Sequence, residues 1–184
     1  MNEFFLILFL IVLGFNIFRE GAYIFIYYTI WTFVSETVYF GLLVTNKKNA
    51  AKKLFPFIYA PSIVVCVGFW VMIAPLSSST ATGTNIVLVL VTHGVNMFAM
   101  LLQPYKILQK DAWKPLVYTL AYNLFLAIYV GRGGRSVSGK LPYWYAQYDR
   151  PIGWIFGFLA ISAATAVHIL TSTKIKAKTN VFVI

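Results

Sequence analysis

Residues 27–48 read YYTIWTFVSETVYFGLLVTNKK, and the reading of this stretch decides the fold. Apolar and aromatic residues continue through Val44, Glu36 is the one acid, and the first cations come at Lys47 and Lys48. About 20 mostly apolar residues are what a helix needs to cross a bilayer. The rest of the chain has the same character. It has 184 residues, 60% of them hydrophobic and only 11% charged, where a soluble domain carries roughly a quarter. With so little charge, most of the surface has to face lipid. That excludes a soluble globular enzyme and a disordered chain, and the single cysteine, Cys66, excludes a disulfide-stapled domain. The net charge of +10 comes from 15 basic residues against 5 acids. These cations sit between long apolar runs, so they match anionic lipid headgroups rather than nucleic acid.

Six stretches are predicted to span: residues 4–18, 22–44, 54–74, 85–102, 115–130 and 152–170. The first lacks a basic leader segment and a small-residue cleavage site, so it reads as a helix rather than a signal peptide. The connections are a tight turn at Arg19-Glu20-Gly21, a lysine-rich loop at 45–53, the uncharged segment PLSSSTATGT at 75–84, a loop at 103–114 and a longer one at 131–150. A tail with Lys174, Lys176 and Lys178 follows. The expected fold class is all-α, a single domain over 1–184 forming an integral membrane bundle of six transmembrane helices. With six spans, ten Lys or Arg lie on the side of the two termini and five on the other. The positive-inside rule then puts both termini in the cytoplasm. The sequence does not separate the endoplasmic reticulum from the plasma membrane.

Ionisable groups inside a bilayer are costly and mark functional sites by default. Glu36, His93 and His168 are the ones present within the expected spans. None of those spans holds a lysine for a Schiff base, and no TVGYG filter is present. At 1.5 Å per residue, Thr29 lies about 10 Å and His93 about 12 Å below the outer entrances of spans two and four. Matching depth would let a hydroxyl and an imidazole pair as nucleophile and base. His168 falls near the opposite boundary, as an interfacial or structural group. Two histidines at opposite depths make no metal site, and no cofactor is expected. Thr29, Thr32 and Glu36 share one helix face, as do His93, Asn96, Met97 and Met100. Both stripes are predicted to face protein. Thr32 and Ser35 are the positions where bonding to the carbonyl one turn back is the ordinary reading.

The stretch at 27–48, LVTHGVNMFAML at 90–101 and PYWYAQYDRPIGW at 142–154 together resemble the androgen-induced gene 1 family, which includes the androgen-dependent regulator of tissue factor pathway inhibitor. That family is similar in its six spans and in a threonine of the second span set a fixed distance before a Phe-Phe-Gly, matched here by Tyr39-Phe40-Gly41. A His-Gly pair in its fourth span matches His93-Gly94. The family's second histidine, three residues later, is replaced here by Asn96.

The resemblance implies an intramembrane hydrolase that cleaves fatty acid esters of hydroxy fatty acids. It assigns the threonine nucleophile to Thr29 and the histidine to His93. Asn96, Thr92 and Glu36 are the expected groups to orient His93, Asn96 ahead of Glu36. The sequence does not single out the oxyanion donors, and Thr32, Tyr28 and a loop amide stay open for that place. The substrate, a lipid ester, would enter from the surrounding membrane lipids through a groove lined by Met97, Phe98 and Met100. Tyr143, Trp144, Tyr145 and Tyr148 would cap its mouth or anchor at headgroup level. The alternative class is a non-catalytic multi-pass membrane protein: a lipid-binding module, a small transporter or a subunit of a membrane assembly.

Overall fold

The computed structural model of the chain describes residues 1–73, 84–136 and 138–181. Among the described residues every regular element is a helix and there is no strand. Helix α1 (Asn2–Glu20) ends at Gly21, whose φ of 62° is open to glycine and strained for other residues. A short 3-10 segment, Gly21–Ile26, folds against α1 before Tyr27 turns extended and α2 (Tyr28–Val44) begins. The second helix therefore starts six residues later than the expected 22, because the helical hydrophobic run contains a backbone break at Gly21 and another at Tyr27. Thr29 accordingly lies in the first turn of α2 and not two turns inside it.

Helix α3 (Lys48–Gly68) follows after a turn in which Asn46 takes φ 58°. Its start is also displaced from expectation. Lys48, Lys52 and Lys53 belong to the helix, and the basic loop shrinks to three residues. Pro56 and Pro61 lie inside α3. Each removes one backbone N–H, a loss that neighbouring helices and hydroxyl side chains compensate in membrane bundles. A π-helical turn, Phe69–Ile73, closes the element. Residue 74, the expected end of the third span, and the segment 75–83 lie outside the described residues.

The fourth rod is continuous but not uniform: α4 (Thr84–Leu90), a π turn (Val91–Val95) and α5 (Asn96–Leu101). Helix α6 (Trp113–Gly131) and α7 (Pro151–Val181) complete the molecule. The expected tail with three lysines is helical as far as Val181.

Helix α3 is central, packing on α2, α5, α6 and α7, while α1 covers the other side of α2. The α1–α2 seam is aromatic: Phe9 lies 4.6 Å from Phe33 and Phe5 lies 5.3 Å from Phe40, centroid to centroid. Tyr39, fully enclosed, packs on Phe55 and gives its hydroxyl hydrogen to Gln103 Oε1 at 3.2 Å. Among the described residues three segments are long and apolar enough to cross a membrane: Asn2–Ile26, Lys48–Val71 and Pro151–Ser172.

Candidate functional site

The late start of α2 decides what Thr29 does. In the body of the helix, hydroxyls give their hydrogen to the carbonyl one turn back: Thr32 to Tyr28 O (3.1 Å), Ser35 to Trp31 O (2.9 Å) and Thr37 to Phe33 O (2.8 Å). Thr29 has no α-helical turn behind it, only the 3-10 segment and the extended Tyr27. The carbonyl four residues before it, on Phe25, is taken by the Trp31 indole N–H at 2.7 Å. Among the described residues the Thr29 hydroxyl finds its partner across the bundle, at His93 Nε2, 3.2 Å away.

The other face of the His93 ring fixes the direction of that bond. Nδ1 lies 3.2 Å from Val89 O and 2.9 Å from Thr92 Oγ1. A carbonyl oxygen only accepts, so Nδ1 carries the ring hydrogen. The Thr92 hydroxyl in turn spends its own hydrogen on Leu88 O at 2.8 Å, which leaves its oxygen free to accept. This assigns the Nδ1–H tautomer, with the Nε2 lone pair aimed at Thr29 Oγ1. Phe69 stacks on the imidazole with ring centroids 3.8 Å apart, and Trp70 Nε1 donates to the His93 carbonyl at 3.1 Å. His93 belongs to the π turn, whose wider winding presents its ring to α2 and leaves its carbonyl available to Trp70.

Of the three groups expected to orient His93, Thr92 takes that place. Thr92 and the Val89 carbonyl hold the ring, and Asn96, placed ahead of Glu36 in the sequence reading, makes no hydrogen bond to it. The π turn is the physical reason, because it changes the angular step between His93 and Asn96 from that of an α-helix. Asn96 instead borders Glu36, deeper in the bundle. Both side chains are fully enclosed. Ser62 Oγ contacts Glu36 Oε1 and also lies 2.7 Å from Ile58 O. Neither Ser62, Phe69 nor Trp70 was legible as part of a site, since an aromatic or a serine in an apolar run is ordinary packing.

The expected oxyanion groups are engaged elsewhere. Thr32 back-bonds, and Tyr28 directs its phenol away from His93 to Thr119, 2.7 Å away. The groove residues also separate. Met100 is enclosed in the main core rather than bordering an opening, Met97 is half-buried and Phe98 is exposed. In the long loop, Tyr143 accepts the Tyr28 backbone N–H at 3.0 Å, capping the first turn of α2 next to Thr29. Tyr145 stacks between Tyr143 and Phe156, and Trp144 remains exposed. Asp149 and Arg150 form a turn in which Arg150 N–H reaches Gln147 O at 3.0 Å. His168 is buried and donates Nε2–H to Leu108 O at 3.0 Å, tying α7 to the connection before α6.

A cavity of about 610 Å³ opens between the loop and the adjoining ends of α6 and α7, bounded by Arg135, Gln147, Tyr148, Asp149 and Trp154 among others. Thr29 and His93 do not line it. Among the described residues no group of three His, Cys, Asp or Glu side chains comes together to hold a metal ion. Comparison with protein families, curated proteins and solved structures finds no match to this chain.

Proposed function

We propose that the chain is a six-span intramembrane hydrolase of lipid esters, with both termini in the cytoplasm and Thr29 as nucleophile. The observation that carries this reading is the hydrogen bond from Thr29 Oγ1 to the unprotonated Nε2 of His93. An alcohol is a weak nucleophile at neutral pH and needs a base within hydrogen-bond reach. A free lone pair on Nε2, set by Val89 and Thr92, is that base. Thr29 Oγ1 attacks the ester carbonyl as His93 Nε2 takes its hydrogen, and the imidazolium then protonates the departing alkoxide. The Thr29 amide, in the first turn of α2 where N–H groups lack intrahelical partners, is a donor for the oxyanion, reinforced by the helix dipole.

The resemblance to the androgen-induced gene 1 family supports fatty acid esters of hydroxy fatty acids as the substrate class. Membrane lipids would deliver it laterally. The test is hydrolysis of such an ester by purified protein, comparing wild type with Thr29→Ala and His93→Ala after gel filtration confirms folding. Turnover in wild type alone supports the reading. Turnover that survives Thr29→Ala removes Thr29 as nucleophile. No turnover across a panel of lipid esters favours the non-catalytic membrane protein, for which the cavity beside α6 and α7 is a lipid-sized space.

A further inference from the structure

The cavity between the long loop and the ends of α6 and α7 carries charges that no internal bond absorbs. Its volume of about 610 Å³ is that of a small-ligand site, which runs from roughly 300 to 1,000 Å³. Arg135 lines it from the start of the loop and Asp149 from the end. Among the described residues the ion pairs are Arg19–Glu20 and Lys114–Asp111. Two opposite charges therefore share one cavity without neutralising each other. Their places are fixed by the chain around them. The Tyr129 hydroxyl donates to Arg135 O at 2.7 Å, and the Arg150 N–H donates to Gln147 O at 3.0 Å. Trp154 reaches from α7 back to the loop, its indole N–H on Tyr148 O at 3.0 Å. The Arg135 guanidinium gives one hydrogen to Gly134 O at 2.8 Å, which leaves further donors for an anion. Gln147 gives an Nε2 hydrogen to Trp144 O at 3.0 Å, which leaves its Oε1, like the Asp149 carboxylate, as an acceptor.

We propose that this cavity holds the head of a phospholipid bearing a primary ammonium, with the phosphate on Arg135 and the ammonium on Asp149 and Gln147 Oε1. A guanidinium fork matches phosphate oxygens. An ammonium with three hydrogens uses both acceptors, whereas a quaternary ammonium has no hydrogen to give them. A head with a phosphate alone would set a second negative charge near Asp149. Location supplies the lipid. The apolar stretch Pro151–Ser172, long enough to cross a membrane, begins two residues after Asp149, and Trp154 suits headgroup level. Apolar surface continues away from the cavity on both helices. Leu124 is one turn from the lining residue Ala127, Phe158 is one turn from Trp154, and both are exposed for acyl chains to lie on. Thr29 and His93 do not line the cavity, so this site is separate from the hydrolase reading.

The test is native mass spectrometry of the full-length protein in detergent, titrated with phosphatidylethanolamine, phosphatidylcholine and phosphatidylglycerol of matched dioleoyl chains. Wild type is expected to retain one phosphatidylethanolamine at roughly tenfold lower concentration than either other lipid, the value of one charge-assisted hydrogen bond. Arg135→Gln should weaken its binding by about the same factor, and Asp149→Asn should erase the preference over phosphatidylglycerol. Ala127→Phe, which fills the cavity from α6, should abolish retention in protein that elutes as wild type on gel filtration. Arg132→Gln, outside the cavity, should change nothing. Equal retention of the three lipids overturns the proposal, as does a preference that survives both Arg135→Gln and Asp149→Asn. A loss in Arg132→Gln as large as in Arg135→Gln reduces the effect to general attraction by a basic loop and overturns it too. Soluble phosphoethanolamine that binds as tightly as the lipid overturns the lipid as the ligand.

Discussion

At the scale of single residues, position within the helix separates Thr29 from the other hydroxyls of α2. Thr32, Ser35 and Thr37 spend their hydrogens on their own backbone, and Thr29 has no turn behind it to bond. Thr29→Ser should therefore retain activity, while Thr29→Ala and His93→Ala should each lower kcat by roughly 10²–10⁴, the usual contribution of a positioned base and its partner. Thr92→Val tests the tautomer assignment. It removes one of two acceptors of the Nδ1 hydrogen and leaves Val89 O in place. Its kcat should fall about five- to tenfold, the value of one neutral hydrogen bond, with KM unchanged. A loss as large as that of His93→Ala would place Thr92 in the chemistry itself. The Thr29–His93 pairing was legible in the sequence because both residues stand out in apolar runs. Phe69 was not, and Thr92 was only one of three candidates to orient the ring, since stacking and tautomer control depend on where a π turn falls.

Among the elements, the long loop matters most to the site because it ends α2. Tyr143 reaches from residue 143 to accept the Tyr28 N–H, one of the first-turn donors that a helix cannot satisfy internally. Tyr143→Phe should lower stability by about 1 kcal/mol, the usual cost of losing a helix cap, measured as a drop in thermal midpoint in detergent. Gly153 holds the other end of the loop. A Cβ there would sit 2.8 Å from Gln147 O, so Gly153→Ala should destabilise by about 1–3 kcal/mol through overpacking against backbone. Alkaline pH provides a further check. Burial pushes the Tyr143 and Tyr148 phenols up to about 12 from an ordinary 10.0. The folded loop then binds these hydrogens more tightly than the unfolded chain does. Their stabilisation is complete below about pH 10 and is lost as pH rises toward 12, so thermal midpoints should fall across that window. The helices themselves were readable from hydropathy, but their starts were not. A hydropathy run does not register Gly21 turning the chain, nor lysines 48, 52 and 53 being helical, because both depend on backbone geometry rather than apolar content.

For the molecule as a whole, the proposed six-span arrangement makes a labelling prediction. Cys66 is buried, so a Cys66→Ser background carrying one new cysteine reports on one exposed position at a time. Asn49→Cys and Lys110→Cys should react from the cytoplasmic side, and Ser138→Cys from the opposite side. Labelling of all three from one face would contradict six spans. The proposed topology puts the starts of α2 and of the fourth rod on one side, where Thr29 pairs with His93 and Tyr143 of the long loop caps the first turn of α2. The claim that matters most is that Thr29 becomes acylated with His93 as its base. The most direct measurement is mass spectrometric mapping of the protein quenched during turnover of a lipid ester. The account predicts an acyl group on the peptide containing Thr29, at that side chain, in wild type and none in His93→Ala. An acyl group on Thr32 or Ser35, or steady turnover with no acyl-threonine at any time, would contradict it.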